Sequence, residues 1–244
     1  MQKKQHTECL GYQVFNGELA KAFSSQKTLV STINQYSYCI AEEDIEFKKA
    51  LEQSEILLPD GIGIVVAARL LYGKKIKKIA GADLHEFLLN QLNSNGGSCF
   101  YLGSSENTLS LIKKRLSKEY PKLKTGVYSP PYKAEFSEED NSAMIAAVNE
   151  FKPDILFVGM TAPKQEKWSF SNKNELDTSI ICSIGAVFDF YAGTLKRPHK
   201  IWVNLGLEWL GRLIKEPKRM WKRYIYYGFI FLGYLIKELF KKIF

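Results

Sequence analysis

The sequence predicts an α/β protein: a Rossmann-like, mostly parallel sheet with helices on both faces, carrying a basic, aromatic C-terminal helical appendage. Short apolar runs alternate with helical stretches along most of the 244 residues, the order that lays parallel strands side by side under crossover helices. The runs end in Gly, Ser, Thr, Asn or Asp, so their loops gather at one edge of the sheet. The net charge of +8 is uneven: residues 195–244 hold twelve Lys or Arg against three Glu, whereas residues 1–194 hold 22 basic and 23 acidic residues. With 45% apolar residues the chain supports one sizeable core, which divides it into a body over residues 1–194 and an appendage over 195–244.

Residues 29–33 are the first strand, ending in Thr32-Ile33-Asn34. Residues 42–54 predict a helix, with Ile45 on the apolar side and Lys48, Lys49 and Glu52 on the charged side. The run 54–58, closed by Pro59, predicts a buried strand, and residues 64–71 a helix packed back on the sheet, with Asp60-Gly61-Ile62-Gly63 between them. Residues 74–78 form a basic turn, and Asp83 is placed to cap a helix over 84–92 whose Leu84, Phe87, Leu88 and Leu92 share one face. Residues 99–102 predict a strand, Gly103-Ser104-Ser105 opens a helix running to Tyr120, and residues 123–128 predict another strand. Ser137 and the acids after it start a helix to Phe151, and residues 154–158 and 179–184 supply the last two strands.

The strand ends carry the chemistry. They read Thr32-Ile33-Asn34, Asp60-Gly61, Gly103-Ser104-Ser105, the segment from Gly159 to Gln165 that includes Lys164, and the segment from Gly185 to Asp189. Helices starting there point free N–H groups at the crevice, which suits a phosphate or diphosphate, although a tight turn also selects glycine. Together these ends favour a nucleotide ligand and nominate Gly61, Gly103, Ser104, Gly159, Lys164, Gly185 and Asp189 as binding positions. Asp60 stands where an open sheet forms its ligand crevice, and an aspartate there also suits a simple helix cap.

Other chemistries fit less well. Gly61-Ile-Gly-Ile-Val-Val66 nearly matches a dinucleotide fingerprint, but Val66 takes the third position, where a small residue is needed. This leaves a nicotinamide-dependent oxidoreductase as the rival enzyme. The phosphate loop of NTP hydrolases is absent, His6, His85 and His199 are isolated, and no Asp-x-Asp pair is present to hold a cation. Neither a metal nor a cofactor is therefore expected, and a departing diphosphate needs cationic side chains.

Cys9, Cys39, Cys99 and Cys182 are far apart, and residues 1–12 are polar with no apolar signal core, so reduced thiols in a cytoplasmic protein are expected. The tail holds Trp202, Trp209 and Trp221. Its thirteen uncharged residues 224–236 are too few to span the roughly 30 Å hydrocarbon core as a helix. On one helical face lie Ile225, Phe229, Leu232, Ile236, Phe240 and Ile243, flanked by Lys222-Arg223 and Lys237, Lys241 and Lys242. That face suits an interfacial helix on an anionic leaflet; an oligomer interface is the competing reading. A non-catalytic nucleic-acid-binding module is the rival binder, one whose affinity would fall steeply with salt.

Four ordered motifs carry a specific resemblance: Pro59-Asp-Gly-Ile-Gly63, Gly81-Ala-Asp-Leu84, Pro163-Lys-Gln-Glu-Lys-Trp168, and Gly206-Leu-Glu-Trp-Leu-Gly-Arg-Leu-Ile-Lys-Glu-Pro-Lys-Arg219. Over about residues 29–224 the chain resembles the WecG/TagA/CpsF family of bacterial glycosyltransferases. The resemblance implies an inverting, metal-independent transfer of a hexose or N-acetylhexosamine, of the N-acetylmannosamine type, from a UDP-sugar to a polyprenyl diphosphate-linked sugar in cell-surface polysaccharide or teichoic acid synthesis. It implies a cytoplasmic enzyme, peripheral on the inner membrane face through its C-terminal helix, with no nucleic acid partner. Position by position, it makes Asp60 the general base with Thr32 and Asn34 near it, sets Gln165 by the nucleotide sugar, and closes Arg212 and Arg219 over the diphosphate. Lys78 departs from the pattern, since many relatives carry arginine there and lysine lacks the bidentate fork.

The residues agree with that chemistry. An inverting displacement needs a carboxylate to take the acceptor hydroxyl's proton and positive charge on the opposite side for the leaving diphosphate. Arg212, Arg219 and Arg223 would share one face of an unbroken helix over 201–224, which Pro217 is placed to interrupt. A solvated basic face is the plainer reading of those arginines.

Overall fold

The structure, a computed structural model, describes residues 5–23, 26–195 and 208–243, except for the side chains at 208, 219 and 243. Its strands are β1 His6–Cys9, β2 Tyr12–Phe15, β3 Thr28–Ile33, β4 Ile56–Pro59, β5 Ser98–Gly103, β6 Lys124–Tyr128, β7 Ile155–Gly159 and β8 Ile180–Ser183. They form one sheet in the order β1-β2-β4-β3-β8-β7-β5-β6, in which β1 and β2 pair antiparallel and the other neighbours pair parallel. The helices are α1 Gln35–Glu43, α2 Ile45–Glu52, α3 Ile62–Tyr72, α4 Gly81–Asn95, α5 Glu106–Glu119, α6 Glu138–Phe151, α7 Lys164–Asn172 and α8 Ala186–Ala192. The tail adds α9 Glu208–Lys215, α10 Pro217–Trp221, a π-helical turn Lys222–Tyr226 and α11 Tyr227–Ile243.

The sheet is covered on both faces, as strands buried on both sides require. Successive residues alternate between two cores: Cys99, Tyr101, Ile155 and Phe157 pack with α4, α5 and α8, whereas Phe100, Leu102, Leu156 and Val158 pack with Met144 and Val148 of α6 and Trp168 of α7. A third core, under the β1–β2 hairpin, gathers Tyr38 and Cys39 of α1, Ile64, Ala67 and Ala68 of α3, and Phe231 and Leu235 of α11. The tail helix thus completes a core of the body on one side.

The expected mostly parallel sheet is present, and three local expectations are corrected. The β1–β2 hairpin precedes the first expected strand, and its Tyr12, Val14 and Phe15 are buried. The helix expected over 42–54 is two helices meeting at Asp44, whose carboxylate accepts the Phe47 N–H at 3.0 Å and starts α2. Ile45 is 85% exposed there, and Phe47, Ala50 and Leu51 face the core instead. Asp83 lies inside α4, not before it, and accepts the Ala80 N–H at 3.1 Å. The four cysteines are free and buried. His85 is also a core residue: its Nε2 lies 2.6 Å from the Tyr101 hydroxyl, and burial pushes its pKa down to about 3.

Candidate functional site

Parallel strands all present their carboxyl ends to one side, and the order turns between β3 and β8, where an open sheet forms its crevice. A cavity of about 1290 Å³ lies there. Its rim comes from the ends of β3 (Thr32, Asn34), β4 (Asp60, Gly61), β5 (Ser104), β7 (Gly159 and Lys164 beyond it) and β8 (Gly185, Asp189). Trp209, Arg212, Arg223 and Tyr224 of the tail line the same cavity.

Local backbone ties set Asp60 in place. Its N–H donates to the Ile33 carbonyl at 2.9 Å, and the Pro59 carbonyl just before it accepts the Ile79 N–H at 3.0 Å, which brings the Lys78 segment to the same rim. Gly61 has φ +133°, a conformation that favours glycine and turns the chain from β4 into α3. Asn34 is the cap of α1: its Oδ1 accepts the Tyr36 and Ser37 N–H groups, both at 3.0 Å. Lys164 lies over the Phe136 ring and donates to the Lys133 carbonyl at 2.5 Å, fastening the wall loop after β6.

Gln165 is buried and held at both ends. Its Oε1 accepts the Gly185 N–H at 3.1 Å and its Nε2 donates to Glu166 Oε1 at 2.8 Å. A side chain at Gly185 would meet Gln165 Oε1 at 2.5 Å, so the glycine permits this contact. Gly103 is the nominated residue that does not line the cavity: a Cβ there would stand 2.5 Å from the Gly159 carbonyl, and its role is close packing of β5 on β7. The Arg219 side chain lies outside the described residues, as do Gly206 and Leu207 of the tail motif. Pro217 does interrupt the tail, at the first turn of α10, yet Arg212 and Arg223 both reach the cavity. Arg212 lies 5.2 Å from the Phe190 ring centroid and Arg223 4.4 Å from that of Tyr36.

Buried polar atoms are almost always hydrogen-bonded, and exceptions mark ligand sites or strain. Among the described residues, Gln35 Oε1, Glu166 Oε2 and Arg212 Nη2 are buried without a hydrogen-bond partner, and all three residues line this cavity. Two acceptors and one cationic donor at this cavity are therefore without a hydrogen-bond partner. Gln35 and Glu166 were not among the residues nominated from sequence. Glu166 sat inside a quoted motif, but nothing in its spacing separated it from Gln165; Gln35 had only its place beside Asn34 as a signal.

Gly61 and Gly63 do not open a dinucleotide slot. A Cβ on Gly61 would meet Gln35 Oε1 at 3.2 Å, and one on Gly63 would meet Gln35 at 3.3 Å and Phe231 at 3.4 Å. Comparison with known proteins agrees with a different enzyme class. The sequence profile of the Glycosyl transferase WecG/TagA/CpsF family matches residues 6–243. The chain is also 31% identical over 207 residues to the N-acetylglucosaminyldiphosphoundecaprenol N-acetyl-beta-D-mannosaminyltransferase of Bacillus subtilis (strain 168), covering 84% of this chain and 78% of that relative. With a strand-end carboxylate and tail arginines lining one cavity, and a profile that runs through body and tail together, the chain belongs to the WecG/TagA/CpsF family of glycosyltransferases.

Proposed function

We propose that the protein transfers an N-acetylmannosamine-type hexosamine from a UDP-sugar to a sugar on a polyprenyl diphosphate, with inversion and without a metal ion. The observation that carries this reading is that Asp60, at the end of β4, lines the same cavity as Arg212 and Arg223 of the tail. Asp60 takes the proton of the acceptor hydroxyl as its oxygen bonds to the anomeric carbon. The bond from that carbon to the diphosphate oxygen breaks, and the arginines receive the charge on the departing UDP. The N-acetylmannosaminyltransferase activity of the Bacillus relative supports both the transferred sugar and the lipid diphosphate acceptor. The test is incubation with a panel of UDP-sugars and a polyprenyl diphosphate-linked N-acetylglucosamine. Transfer from UDP-N-acetylmannosamine that survives EDTA is expected. No transfer from any UDP-sugar, or loss in EDTA that magnesium or manganese restores, refutes the corresponding part.

We further infer that the protein works at the cytoplasmic membrane surface. The face of α11 that docks on the body buries Phe231 and Leu235, leaving Phe229, Leu232, Ile236 and Phe240 outward. Beside it, α3 exposes Ile62, Val66 and Leu70, and Lys242 near the end of α11 donates to the Leu71 carbonyl at 2.7 Å. Exposed Lys74, Lys75 and Lys77 follow α3 directly, so an apolar surface ends in a basic one, the pattern that suits an anionic leaflet. No helix among the described residues is long and apolar enough to cross a membrane. Stoichiometry in solution distinguishes this surface from an interface between copies of the chain.

A further inference from the structure

Asn34 and Gln165, two amide side chains that line the cavity, are each fixed by the hydrogen bonds of the body. Asn34 Oδ1 accepts the Tyr36 and Ser37 N–H groups, both at 3.0 Å, and the Ser37 hydroxyl returns the tie by accepting the Asn34 N–H at 2.8 Å. Turning this amide over would set its NH2 group against two N–H groups, so its oxygen is committed to α1 and Nδ2 takes no part in the cap. Gln165 Oε1 accepts the Gly185 N–H at 3.1 Å, and Nε2 donates to Glu166 Oε1 at 2.8 Å. Turned over, it would set NH2 against N–H at Gly185 and oxygen against oxygen at Glu166. Its second Nε2 proton is not used by either bond. Both side chains therefore keep only N–H for a ligand.

The two stand close together. Strands β3, β8 and β7 are consecutive in the sheet; Asn34 follows β3, Gly185 follows β8, and α7 with Gln165 comes after β7. Neighbouring strands lie roughly 4.8 Å apart, so an amide bonded to the end of β8 stands beside the end of β3. We propose that Asn34 and Gln165 determine sugar specificity: their N–H groups recognise the carbonyl oxygen of an N-acetyl group, and Ser37 and Glu166 are positioning residues that hold the two amides in that orientation.

Charge and hydrogen-bonding capacity select this ligand group. A phosphate suits Arg212 and Arg223, and a hydroxyl proton suits Asp60, all on the same cavity. A hydroxyl both donates and accepts, so a position that only donates does not select for one. A carbonyl only accepts, and on an N-acetylhexosamine it is the strongest neutral acceptor. Gln165 is buried, and a buried donor left without its acceptor is costly, so a sugar without the carbonyl is disfavoured. The inference rests on the proposed function for its substrates. Both sugars of that reaction carry an N-acetyl group, and separate arms of the test distinguish them.

The first arm compares UDP-N-acetylmannosamine with UDP-mannose as donor. The second compares N-acetylglucosamine with glucose on a short-chain prenyl diphosphate as acceptor. In each, the ratio of kcat/KM for the N-acetyl sugar to that for its hydroxyl counterpart is measured in the native chain, in Asn34→Ser and in Gln165→Met. Serine caps a helix about as well as asparagine, so Asn34→Ser keeps α1 while removing the amide donor; an unchanged melting temperature is the control. Each variant should lower the ratio about three- to tenfold in one arm, the worth of one hydrogen bond, and that arm identifies the sugar recognised. If Gln165→Met does not fold, Asn34→Ser carries the test alone. A ratio unchanged in both arms, or equal losses on the N-acetyl and hydroxyl sugars, overturns the proposal, since a residue that only caps or packs does not distinguish them. The same ratios can be read from calorimetric affinities, which need no transfer, so failure of the glycosyl transfer and failure of this recognition are separate results.

Discussion

Asp60 and the tail arginines face one cavity but are held there by different means. The carboxylate follows a strand whose backbone is tied on both sides, to Ile33 and to Ile79. Arg212 and Arg223 come from a segment outside the sheet and rest on the rings of Phe190 and Tyr36. A base must meet one hydroxyl within a fraction of an ångström, and a sheet edge supplies that precision. Charge for a leaving diphosphate acts over longer range, and a docked tail can supply it after substrates have entered. On the proposed reaction, the rim therefore fixes the geometry and the tail completes the electrostatics.

That division is broken most severely at the rim. Asp60→Asn keeps the shape but cannot take a proton, and turnover should fall about a hundred- to ten-thousandfold. UDP binding, followed by calorimetry, should change little in that variant; near-normal turnover would remove Asp60 as the base. The tail comes next. Arg212→Ala should lower kcat about a hundredfold or more, as loss of one charge-stabilising donor does. Arg212→Lys should recover part of the loss, since it restores charge but not the fork. Full recovery would show that charge alone is required there.

The rim was largely legible in the sequence because each strand end is a local signal: an apolar run, then a small or polar residue. Asp60, Gly159 and Gly185 are found that way. The same method nominated Gly103, whose glycine serves a strand contact that no local pattern shows. Spacing gave the exposed face of α11 correctly, and it misjudged Ile45, where the break at Asp44 resets the helical phase. The β1–β2 hairpin was missed because β1, His-Thr-Glu-Cys, is short and polar and lies at the sheet edge. Gln35 and Glu166 were illegible for another reason. Their unpartnered atoms are a property of the folded cavity, where body and tail residues meet, and such a long-range arrangement has no local signature.

The smallest expected effect on chemistry, and the sharpest separation of the two regions, lies on the outside of the tail. Truncation at residue 225 is a poor probe, because it also strips Phe231 and Leu235 from the core, each burial being worth ~1.5–3 kcal/mol. Phe229→Glu with Phe240→Glu leaves that buried face intact and puts charge only on the exposed one. Val66→Glu with Leu70→Glu does the same on α3. Each pair should weaken flotation with anionic vesicles at least several-fold, while activity on a short-chain soluble acceptor stays within about twofold, as expected for surface changes remote from the cavity. Zwitterionic vesicles should bind the native chain less than anionic ones, because the lysines after α3 and at the end of α11 lose their counter-charge. If the variants instead keep vesicle binding and change the mass of the particle in analytical ultracentrifugation, the face belongs to a second copy of the chain. If soluble activity falls with vesicle binding, the outer face of the tail is coupled to the arginines inside it, and the division between rim and tail has to be redrawn.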